Sequence, residues 1–91
     1  MRKCIEILLE GRVQGVGFRN FTLNIALRHD IKGYVKNTHE GNLEIACCGS
    51  REDVDKFVNE IKRGPSFAFI SKIRINDYAD NVNFKDFRII Y

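Results

Sequence analysis

Apolar and polar residues alternate along residues 4–10, with Ile5, Ile7 and Leu9 on one face, which predicts a half-buried strand. From Arg19 to about His29 the spacing lengthens to that of a helix. Phe18, Phe21 and Ile25 form one stripe, with the small Thr22 and Ala26 beside it. Leu23 and Leu27 fall off the stripe and either cover a second contact or stay exposed. Period two returns over residues 31–37 and again over 43–48, and the turn "THEGN" between them makes the pair a hairpin. The second helix is the best-marked element. Ser50 caps it, Asp53 stands three residues on, and Val54, Phe57, Val58 and Ile61 make its apolar stripe before Gly64-Pro65 ends it. Two further strands are expected at 70–78 and 84–90, the latter setting Phe87 and Ile89 against Arg88 and Ile90.

The order β-α-β-β-α-β, with one more strand at the end, predicts an α+β, ferredoxin-like sandwich. Two helices would pack on one face of a mostly antiparallel sheet, and residues 1–91 would form a single domain. This architecture hosts enzymes, RNA binders and small-molecule sensors alike, so function has to be read from the site.

Candidate chemistry concentrates in "GRVQGVGFR", residues 11–19. A strand, a glycine-rich turn and a helix start together make an anion cradle of backbone N–H groups. The nucleotide-binding versions of such a cradle fail here. The P-loop requires Gly-Lys followed by Ser or Thr, and Gly15 is followed by Val16 and Gly17. The dinucleotide fingerprint requires glycine at position 20, which is Asn20, and the next unit is a hairpin rather than a parallel crossover. The loop instead suits one small phosphate-like anion, met by backbone amides and by the planar fork of Arg19. A tight structural turn carrying an exposed arginine is the competing reading.

A second segment, "GYVKNTHEGNLEIACCG", places Asn37 at the end of the second strand, where the topology allows it to lie beside the glycine loop at the same sheet edge. A neutral amide is no general base, but it can orient a water by donating and accepting. A phosphate cradle beside a water-orienting amide points to hydrolysis driven by positioning and electrostatics.

Together these segments resemble the two signatures of the acylphosphatase family: "GRVQGVGFR", then "GYVKN" followed by "EG" and a strand. The resemblance extends to Gly64-Pro65, to "SKI" at 71–73 and to the aromatic-rich end at Tyr91. It implies hydrolysis of the carboxyl-phosphate bond of acyl phosphates, without a metal or other cofactor. By position it implies that Val13, Gln14, Gly15, Val16, Gly17, Phe18 and Arg19 cradle the phosphate through their amides. Arg19 would also bind it through the guanidinium, and Asn37 would hold the attacking water. Three positions depart from the family's habit: Asp30 stands where glycine is usual, Glu40 where aspartate is usual, and Leu43 where valine is common. Only Asp30, at a left-handed turn, is expected to carry a cost, and that cost falls on stability.

Composition narrows the remaining choices. The formal net charge is +3, with basic and acidic residues interleaved, so no nucleic-acid tail is present. The strands "CIEILLE" and "LEIACC" lack the aromatics on which RNA-binding sheets stack bases. The alternative to an enzyme is a non-catalytic ferredoxin-like module that binds a phosphorylated metabolite or RNA. No apolar run is long enough for a signal segment or a membrane span, which predicts a cytoplasmic protein; its expected partner is a small-molecule acyl phosphate, and a monomer is expected. Cys47 and Cys48 are adjacent and Cys4 is remote, so all three are expected as free thiols. His29 and His39 stand in no zinc-binding pattern, and His39 reads as a solvated loop residue. Glu10 and Glu44 read as solvent-facing strand charges.

Overall fold

All seven expected elements form, in the expected order. The computed structural model describes residues 1–79 and 81–91. The elements are β1 (Arg2–Arg12), α1 (Phe18–Arg28), β2 (Lys32–Asn37), β3 (Leu43–Ser50), α2 (Arg51–Arg63), β4 (Phe69–Asp77) and β5 (Phe87–Ile90). The sheet order is β4-β1-β3-β2-β5, with β2 and β5 parallel and every other pair antiparallel. Both β1 and β2 run antiparallel to β3, so both end at the same end of the sheet. That brings the glycine loop and Asn37 to one end of the strands. The expectation of a shared sheet edge is corrected here, because β1 and β2 are interior strands separated by β3.

One face of the sheet carries the core. Ile5, Ile7, Leu9, Val35 and Ile45 pack with Phe18 and Ile25 of α1 and with Val54, Phe57 and Ile61 of α2, all buried. Leu23 packs partly against this core and Leu27 is exposed, which divides the two off-stripe leucines between their two possible fates. Helix α2 begins as expected, with Ser50 Oγ accepting from the Asp53 N–H at 3.1 Å. Acids fill its first turn and bases its last, complementing the helix dipole. Between the helices, Glu60 accepts from Arg28 at 2.9 Å and bonds His29 Nε2 at 2.5 Å. The bond to His29 holds the Glu60 carboxyl below its ordinary range. The clamp is therefore intact above the normal glutamate range and weakens as pH falls through that depressed pKa.

Strand β5 is shorter than expected because Phe84 is used elsewhere. Its ring packs against Tyr34 at 6.1 Å and Tyr78 at 6.3 Å, on the sheet face away from the helices. The parallel pairing with β2 starts only at Phe87.

The cysteines correct the sequence reading. Cys4 lies directly opposite Cys48 in the β1–β3 register, with Cα atoms 4.1 Å apart, and the two form a disulfide. Adjacency along the chain ruled out a Cys47–Cys48 bridge but carried no information about a cross-strand partner. Cys47 alternates to the core side and stays a free thiol, its pKa pushed up to about 12 by burial. A bridge spanning 44 residues contributes roughly 2–4 kcal/mol by restricting the unfolded chain. Cys48→Ala is therefore expected to melt well below the native protein by circular dichroism. Its kcat should match the native value, because the bond lies at the sheet end remote from Asn37.

Asp30 follows α1 with φ 54°, making it the non-glycine residue that occupies a left-handed position among the described residues. Its ion pair with Lys32, at 3.3 Å, is exposed and offsets little. Asp30→Gly should relieve about 1 kcal/mol. Calorimetry would then record a Tm higher by roughly 4–8 °C.

Candidate active site

The loop between β1 and α1 is anchored by its side chains and open through its backbone. Val13 and Phe18 are both 1% exposed and belong to the core. Gly15 and Gly17 hold φ of 72° and 78°, and a β carbon at either would meet nothing within 4 Å. Conformation, not crowding, thus requires glycine there. Gly11 is a different case: its β carbon would lie 2.2 Å from the Phe69 carbonyl oxygen, at the bulge where β1 meets β4. It serves the sheet rather than the loop.

Helix α1 starts at Gly17 with no side-chain cap and no acid in its first turn. Its first helical bond runs from the Phe21 N–H to the Gly17 carbonyl at 3.0 Å. The N–H groups of Phe18, Arg19 and Asn20 therefore have no helical acceptor, and the positive end of the helix is uncompensated.

Phe18, Arg19 and Asn20 line a cavity of about 80 Å³ together with Val13, Gly15, Gly17, Asn37, Ile89 and Tyr91. Of the residues expected at the site, Gln14 and Val16 lie outside the lining. Val16 packs against the core, and the Gln14 side chain turns toward the hairpin that follows Asn37. Asn20, Ile89 and Tyr91 were not expected. The parallel register that pairs Lys36 with Ile90 carries Tyr91 to the level of Asn37, and no local signal in the sequence announces it.

The electrostatics favour an anion. The Arg19 guanidinium lies 4.9 Å from the centroid of the Tyr91 ring, and among the described residues no carboxylate pairs with it. Asn37 Oδ1 is buried and has no hydrogen-bond partner among the described residues. An orphaned amide oxygen in such a place is costly unless something from the cavity bonds it. A larger groove of about 430 Å³ lies at the opposite end of the sheet, beside Asp30, Lys32, Asp53 and Phe84. Its charges are of mixed sign, and it lacks the convergent donors that the smaller cavity has. His39 is exposed on the hairpin turn, while Glu10 and Glu44 are half-buried in ion pairs with Arg74 and Lys36.

Fold and cavity define a ferredoxin-like domain whose small cavity, beside a glycine-rich loop and a helix start, is far below the 300–1,000 Å³ typical of larger ligands. The family profile for acylphosphatase matches residues 5–89. An acylphosphatase of Archaeoglobus fulgidus is 39% identical over 88 residues, covering 97% of this chain and 98% of that one. One from Geobacillus thermodenitrificans is 38% identical over 89 residues, covering 98% and 95%. The crystal structure of acylphosphatase from Bacillus subtilis superposes with a TM-score of 0.93 at 33% identity, covering 100% of both chains. A full-length HypF, in its phosphate- and nucleotide-bound form, gives the same TM-score at 36% identity, over 100% of this chain and 12% of that one. The chain belongs to the acylphosphatase family, and it is a hydrolase of acyl phosphates.

Proposed function

We propose that the cavity holds the phosphoryl group of an acyl phosphate and that Asn37 presents the water that attacks it. The backbone amides of the loop residues that line the cavity, Gly15, Gly17, Phe18 and Arg19, and the Arg19 fork bind the non-bridging oxygens, charge-assisted contacts that also stabilise charge building up on the transferring group. Water held by the Asn37 amide attacks phosphorus, the bond from phosphorus to the acyl oxygen breaks, and a carboxylate leaves. The water proton passes to a phosphate oxygen, since no side chain lining the cavity is a general base. Positive charge comes from Arg19 and the α1 N-terminus, so the step needs no metal.

The observation that carries this reading is that Asn37, whose Oδ1 has no hydrogen-bond partner among the described residues, lines the same cavity as Arg19. A cavity this small holds the phosphate end alone, so the acyl group extends toward solvent and broad acyl acceptance is expected. We also read the protein as a monomer that binds no nucleic acid. Tyr34, the aromatic residue of β2, donates its hydroxyl to Glu44 at 2.7 Å and packs on Phe84, so its ring is engaged within the protein. The test is hydrolysis of benzoyl phosphate with and without EDTA. Equal turnover in both, competitively inhibited by inorganic phosphate, supports the reading; turnover that EDTA abolishes would sink the metal-free step.

A further inference from the structure

Gln14 stands in the middle of the glycine loop, yet its side chain leaves the cavity and crosses to another element. Its Nε2 donates to the Thr38 carbonyl at 2.9 Å and to the Asn42 carbonyl at 2.8 Å. Those carbonyls bracket the turn that begins one residue after Asn37. The same turn is closed internally. The Thr38 N–H donates to the Asn42 carbonyl at 2.9 Å, the Gly41 N–H to the Thr38 carbonyl at 3.2 Å, and the Asn42 N–H to Thr38 Oγ1 at 3.1 Å. Gln14 therefore spends both hydrogens of its NH₂ on a turn that is already rigid.

We infer that Gln14 is a positioning residue that couples the phosphate cradle to Asn37, setting the distance between bound phosphorus and the held water. The inference rests on the functional reading above. Its backbone neighbours are Val13, locked in the core, and Gly15, which lines the cavity. On the other side, Asn37 ends β2 directly before Thr38. The cradle and the water-holding amide belong to strands separated by β3, and the Gln14 amide is a direct side-chain tie between them. Two donors on a stem of this length are what the crossing requires. A carboxylate would repel both carbonyls, and an apolar side chain would leave them one bond short.

A displacement of about 1 Å between reacting groups costs on the order of 100-fold in rate. Gln14→Met keeps the length and removes both donors, and it is expected to lower kcat about 10- to 100-fold on that scale. The inhibition constant of inorganic phosphate should move by less than about threefold, because the cradle itself is untouched. The decisive measurement is a double-mutant cycle with Asn37→Ala. If Gln14 acts through Asn37, then Gln14→Met in the Asn37→Ala background changes kcat by less than about twofold. A full, additive loss in that background overturns the coupling, as does a Gln14→Met variant at native kcat or one whose only defect is in phosphate binding. Asn37→Ala at native kcat would instead bring down the assignment of Asn37, and the coupling with it. Thermal melts check that each variant is folded. Gln14→Glu, of the same length but repelled by both carbonyls, is put through the same cycle if Gln14→Met does not fold.

Discussion

Replacing Arg19 with alanine is expected to lower kcat/KM for benzoyl phosphate by about 100- to 10,000-fold, the worth of two charge-assisted hydrogen bonds of roughly 1.5–3 kcal/mol each. The guanidinium has no competing carboxylate among the described residues, so its charge is available to the substrate in full. The loss should fall on binding as well as on rate, because a phosphate dianion is present both before and during bond breaking. The inhibition constant for inorganic phosphate should therefore rise alongside the fall in kcat/KM. Arg19→Lys should recover only part of the loss: an ammonium supplies charge but not the planar fork. Stability should change little, since Arg19 is half-exposed and touches the Tyr91 ring without holding the core. An alanine variant that binds phosphate as tightly as the native protein would remove Arg19 from the cradle.

Asn37→Ala should show the opposite division. Its effect is expected in kcat, about 100- to 1,000-fold, the scale measured for losing a single transition-state donor. Phosphate binding should persist, because the lining amides of the glycine loop and Arg19 remain. The buried position of Oδ1 sharpens this expectation. Alanine removes a polar atom that has no protein partner, so the variant should be no less stable than the native chain. Lost rate with retained or increased Tm would separate a catalytic role from a structural one. Steady-state kinetics and calorimetry on the same preparation make that comparison.

Much of the architecture was legible because it rests on local periodicity. Val54, Phe57 and Ile61 recur at helical spacing, and Ser50 and Gly64 mark the ends of α2 with caps that need no tertiary context. Strand β5 is shorter than the sequence pattern predicts because nothing local distinguishes an aromatic that continues a strand from one that covers the opposite face, as Phe84 does. The disulfide was missed for a related reason. Cys4 meets Cys48 through the β1–β3 register, a non-local quantity that neither cysteine's neighbourhood encodes. Asp30 illustrates the reverse case, since the family resemblance, with glycine usual at that position, implies a left-handed turn, and Asp30 holds φ 54°.

The site divides along the same line. The residue types that suit the chemistry stand in the chain itself: glycines that permit positive φ, an arginine at a helix start, and an amide where a strand ends. Each is a local property, decided by backbone sterics and side-chain functional groups within a few residues. That Arg19, Asn37 and Tyr91 share one cavity was decided only by the fold, through β1 and β2 both running antiparallel to β3 and β5 lying parallel to β2. The reach of Gln14 across to Thr38 and Asn42 was decided in the same way. Strand pairing is fixed by the burial of a whole hydrophobic face at once, so the distances it sets between remote residues are written in no single segment.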